Sequence, residues 1–333
     1  MKHVLLAVCL IGLFCGCKRR KQIPDVSGIT INLETIRFEK ALFAIDTVHT
    51  TQSLQALYAK YPGFTQDFLF NILGSSPDST QKDLSSFITS YRDMYRASEE
   101  KFKNFSAVEK EVKKGLQFVH YYFPAYKLPA KLVSFIGPIN SYGNIITADA
   151  LAVGLQLYMG KDFPMYLSEA GQQLYPLFVS RRFEPAYIPV NCMKNIIDDM
   201  YPDKSMGHPL VEQMVESGKR QYLLDRLLPE LPDTLKTGYT AQQLKDSYDN
   251  EQTIWSFFVQ NELLFNTDPN MTRDYMSDAP NTEAFGKQSP GNIGQFLGMQ
   301  IVWKWMGKHT GLSLDALMQT PARKIFDEAK YKP

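Results

Sequence analysis

Beyond residue 17 the chain carries a single cysteine, Cys192. A lone thiol cannot close an intramolecular disulfide, so the fold must be held by buried apolar surface. The material is present: of 333 residues, 44% are hydrophobic and 13% aromatic, which suits one large domain or two ordinary ones. The other cysteines, Cys9, Cys15 and Cys17, crowd an N-terminus of different character.

There, Lys2 and His3 precede an apolar run from Val4 to Phe14. At 1.5 Å per residue this run is too short to span a hydrocarbon core of about 30 Å. It has the length of the apolar region of an export signal. Leu13-Phe14-Cys15-Gly16-Cys17 resembles the lipobox of bacterial lipoproteins, with small Gly16 before the cut and Phe14 where leucine is commonest. The expectation is a signal peptide over residues 1–16, a lipid anchor at Cys17 and a tether over 17–28. An ordinary cleaved signal and a short anchor helix are the alternatives. No later run of 18 apolar residues suggests a membrane span.

Lysine and arginine number 36, aspartate and glutamate 35; removal of Lys2 with the signal leaves 35 of each and a net charge of zero. That balance argues against nonspecific nucleic-acid binding, which needs a basic surface. Lys18-Arg19-Arg20-Lys21 is the one notable basic run. It suits anionic head groups, at ~1 kcal/mol per charge near such a surface, or a solvated linker. No acidic residue follows Cys17 closely; acidic residues there resemble surface-export tags, so the expectation is a periplasm-facing protein.

From residue 29 the periodicities predict an α+β fold, predominantly α-helical. One globular domain over 29–333 has a small central β-sheet. Residues 29–36 alternate apolar and polar, as a strand does. Apolar spacings of three and four predict helices over 54–61, 64–73, 84–105 and 108–122. Short apolar runs at 132–136 and 151–155, with a third at 145–147, read as strands. Helical spacing resumes from Tyr166 and dominates to the end, as over 190–200, 209–228, 241–265, 293–306 and 314–329. Residues 268–290 are polar, contain Pro269, Pro280 and Pro290, and read as a long surface loop.

No intact HExxH, GxSxG, phosphate-binding glycine loop or CxxC occurs, and no two histidines stand at i, i+4. His120, in an aromatic stretch, reads as structural. Trp255, Trp303 and Trp305 read as core or interface residues, and Ser289-Pro290-Gly291-Asn292 as turn chemistry.

Several segments, in order, resemble the gliding-motility lipoprotein GldB family of Bacteroidetes. They are Ile23-Pro24-Asp25-Val26, Arg37-Phe38-Glu39-Lys40-Ala41-Leu42-Phe43, Tyr61-Pro62-Gly63-Phe64 and the stretch Leu157 to Tyr166. Asn191 to Asp199, Ser289 to Gly294 and the terminal Lys330-Tyr331-Lys332-Pro333 complete the set. The resemblance runs from residue 17 to the C-terminus. It implies an envelope lipoprotein associated with gliding motility and the type IX secretion machinery, acting through contacts with other envelope proteins.

That family is itself similar to zinc peptidases in which one helix carries HExxH. The two histidines hold zinc and the glutamate activates its water. The resemblance places Asn191 and Asn195 at the histidine positions, Cys192 at the general base and Glu216 at a third ligand from a second helix. A neutral amide is a poor zinc ligand beside imidazole or thiolate. The expectation is therefore a zinc-peptidase-like scaffold with degenerate positions at Asn191, Cys192, Asn195 and Glu216, no metal, no cofactor and no catalysis. An active zinc peptidase and a helical nutrient-binding lipoprotein are the competing readings.

Overall fold

The computed structural model describes residues 23–148 and 150–333. The stretch expected as a signal peptide, and Cys17, lie outside the described residues. Val26, in the stretch expected as tether, is already buried, so the folded body begins before residue 29.

The architecture is α+β and predominantly helical, as the periodicities predict. The four strands are β1 (Glu34–Arg37), β2 (Lys131–Phe135), β3 (Asn144–Ile146) and β4 (Ala150–Gly154). Their order is β1-β2-β4-β3. β1 and β4 flank β2 in parallel, with Ile36 beside Val133 and Val133 beside Ala152. β3 runs antiparallel to β4, with Ile145 beside Ala152. β2 and β4 are buried almost throughout. Strands covered on both faces read as continuous apolar runs, which is why these two were visible in the sequence. The alternation at 29–36 gives a ladder only from Glu34, whose amide donates to Ala130 O at 2.9 Å. Residues 29–33 face no partner strand, because β2 begins at Lys131.

Five helices matter for the site: α1 (Ser106–Tyr122), α2 (Ile188–Met200), α3 (Leu210–Leu227), α4 (Ile293–Lys308) and α5 (Ala322–Ala329). α4 buries residues on all sides, among them Phe296, Leu297, Ile301, Val302 and Trp305. A helix apolar all round belongs in the centre of a domain. It crosses α3 at glycines: a methyl on Gly298 would collide with the Met214 carbonyl, and one on Gly218 with the Gly298 carbonyl. Only glycine permits that backbone approach. α2 packs on α1, where Met193 fills the space beside Gly115.

Several expected boundaries are corrected. The helix expected over 84–105 is two, Thr80–Ser90 and Arg92–Lys101, because the chain turns at Tyr91, whose hydroxyl accepts from Ile139 N at 2.8 Å. The helix expected over 64–73 is a turn of α-helix followed by a π-helix over Asp67–Ile72. The 241–265 segment is divided at Asn250 and after Gln260, and the 314–329 segment at Pro321. The expected surface loop over 268–290 contains a helix, Pro269–Met276. Asp268 caps it by accepting from Asn270 N at 2.9 Å, and Pro269 opens it. Tyr275 from this helix is buried against Phe258. His120 is exposed at the end of α1, not structural in the core. Trp305 is buried, and its indole donates to Glu328 Oε2 at 2.9 Å. Among the described residues no helix is long and apolar enough to cross a membrane.

Candidate functional site

α2 places Asn191 and Asn195 one turn apart, and both line a cleft of about 320 Å³ between α2, β3 and the turn after β4. Asn144 enters from the start of β3 and Tyr158 from the turn that follows β4. The cleft floor is a chain of neutral hydrogen bonds. Asn191 Nδ2 donates to the Tyr158 hydroxyl at 2.8 Å. That hydroxyl donates in turn to Asn144 Oδ1. Asn144 Nδ2 donates to Cys192 Sγ at 3.4 Å. Each group finds its partner without an ion.

Burial sets the chemistry of the network. Tyr158 is 2% exposed, and burial raises its hydroxyl pKa far above the ordinary value, against the pull of the Asn191 hydrogen bond. Cys192 is fully buried; burial pushes its thiol far up, and the Asn144 contact offsets only part of this. A protonated, buried thiol is a poor nucleophile. The side chain of Asn195 faces the cleft with no hydrogen-bond partner among the described residues.

Asn191, Cys192 and Asn195 are therefore brought together. Glu216 is not brought to them. It sits on α3 with its carboxylate against Lys219 Nζ at 2.7 Å, and it does not line the cleft. Lys219 is 1% exposed and also donates to the carbonyls of Met318 and Thr320, at 3.3 and 2.6 Å. Glu216 thus serves as counter-ion to a buried lysine. The surface that α3 turns toward α2 carries Arg220, which donates to the Asp198 carboxylate and to Tyr201 O. Among the described residues no three His, Cys, Asp or Glu side chains are arranged to hold a metal ion.

Sequence reasoning missed Asn144, Tyr158 and Lys194. Tyr158 lies in one of the segments that carried the family resemblance, but its partners are 14 and 33 residues away, beyond any local spacing. Lys194 also lines the cleft.

The pattern of the family described as "Gliding motility protein GldB" matches residues 19–333, nearly the entire chain. The chain belongs to the GldB family. Membership agrees with the ordered segments from Ile23 to Pro333 and with a lipoprotein of the cell envelope. No curated protein and no solved structure matches the chain.

Proposed function

We propose that this GldB-family chain is a non-enzymatic structural or assembly component of the envelope apparatus for gliding motility and type IX secretion. It would be tethered by lipid at Cys17, face the periplasm and act through contacts with other envelope proteins. Family membership over residues 19–333 carries this reading. The chemistry of the cleft supports it. Neutral amides at 191 and 195 are weak donors to zinc, and the thiol at 192 is held protonated by burial. The carboxylate at 216 is committed to Lys219. None of these groups is set up as a general base or nucleophile.

The test is direct. The full-length lipoprotein, purified from its native membrane, is assayed for bound zinc and for peptide cleavage. Substoichiometric zinc and no chelator-sensitive cleavage are expected. About one zinc per chain together with cleavage that a chelator abolishes would refute the proposal.

A further inference from the structure

Next to the asparagine cleft, and sharing Lys194 with it, lies a smaller and more enclosed cavity of about 130 Å³. Three cationic side chains line it: Arg181 and Arg182, from the turn after Leu177–Ser180, and Lys194 from α2. One carboxylate lines it, Asp278, and this pairs with Arg182. Three positive charges against one negative leave a local excess of two. Arg181 donates to Gly238 O at 2.7 Å and has no carboxylate partner. Lys194 makes no hydrogen bond or ion pair among the described residues. Asp198, which lines the neighbouring cleft, is engaged by Arg220.

All three side chains are partly withdrawn from water, which raises the cost of leaving a cation unpaired. Here the strain registers on Lys194, whose amine is pushed down to about 8 by burial and by the neighbouring Arg182. The wall opposite is the N-terminus of α4. Asn292 precedes it with φ 53°, and its side chain does not cap the helix. Asn292 and Gln295 from this end line the cavity, so the partial positive charge of a 16-residue helix lies beside the same space. Gly291 lets the chain close there, since a methyl at that position would strike the Ala279 backbone. The Ser289–Asn292 turn thus forms a cavity wall.

We propose that this cavity is a binding site for a phosphate group, with the neutral remainder of a phosphomonoester extending past Lys194 into the asparagine cleft. A phosphate dianion matches the excess of two positive charges. Arginine forks and helix amides are its usual partners. The volume admits one such group and little more. In the neighbouring cleft the unpartnered Asn195 amide offers a donor and an acceptor to hydroxyls on the remainder. The site is independent of the scaffolding role and of any metal chemistry.

The experiment is calorimetric titration of the detergent-solubilised full-length protein with inorganic phosphate and with glycerol 3-phosphate. Ionic strength is held constant with chloride, and Lys194→Met and Arg181→Met are run beside wild type. Circular dichroism checks their folds; Lys194 has no partner to lose. Saturable binding is expected, tighter for glycerol 3-phosphate, and weakened at least tenfold by each variant. No saturable heat with either ligand, or equal affinity in wild type and Lys194→Met, would overturn the site. Equal affinities for the two ligands would overturn the extension into the cleft.

Discussion

Asn191 Nδ2 donates to the hydroxyl of Tyr158 at 2.8 Å, and that hydroxyl passes the chain on to Asn144. Helix α2 is thereby tied to the edge of the sheet by neutral groups. Tyr158→Phe removes one hydroxyl and leaves two half-buried amides short of a partner. A loss of about 1–3 kcal/mol is expected by urea unfolding. A change within error would show that water satisfies both amides equally well.

Cys192 should be inert in the folded protein. With its thiol buried and its pKa raised, labelling by an aromatic disulfide reagent should await global unfolding. Cys192→Ser should leave motility intact, because serine can still accept from Asn144. Fast labelling under native conditions would contradict the burial.

The crossing of α3 and α4 depends on an absent side chain. Gly298→Ala drives a methyl into the Met214 carbonyl, a backbone atom that cannot swing aside. A destabilisation of about 3 kcal/mol is expected, whereas Gly307→Ala, where open space within the same helix receives the methyl, should be neutral or stabilising by up to about 1 kcal/mol. Equal effects at the two positions would mean the helices separate freely.

Lys194 makes stability depend on pH with a definite sign. Its folded-state pKa, about 8, lies below its ordinary 10.5 because burial and then the neighbouring Arg182 disfavour the charged amine, with Asp278 and Asp198 offsetting only part of this. Between those values the unfolded chain holds a proton that the folded chain has lost, so stability rises with pH across that window. Below pH 8 the charged amine costs the fold on the order of 2 kcal/mol. Lys194→Met should therefore be the more stable protein at pH 7 in phosphate-free buffer, with the difference shrinking toward pH 10. A less stable variant at pH 7, or a constant gap, would contradict the strained amine.

The helical class, the buried strands β2 and β4 and the central helix α4 were legible because each is apolar through most of its length. Helix breaks at Tyr91 and Asn250 were not, since helical spacing carries on across them and tertiary contacts decide where the chain turns. The Pro269–Met276 helix was hidden by a polar composition, although Asp268-Pro269 is itself a start signal. At the site, i, i+4 spacing sufficed to set Asn191 and Asn195 on one face. Glu216 was placed by analogy alone, and analogy could not foresee that buried Lys219 claims it. Arg181, Arg182 and Lys194 converge only through tertiary structure and carry no local pattern.

Under the proposed function the protein works by contact with other envelope components. Leu174 and Leu177 are large apolar side chains left exposed on neighbouring short helices. Exposed apolar surface of this kind commonly marks an interface. A photoreactive residue at position 177 of the native lipoprotein, irradiated in living cells, tests the claim most directly. The account predicts discrete adducts with gliding or secretion envelope proteins, absent when the reactive residue is moved to a buried position such as 297. A motility-competent protein that yields no adduct from 177 or from other exposed positions would contradict it.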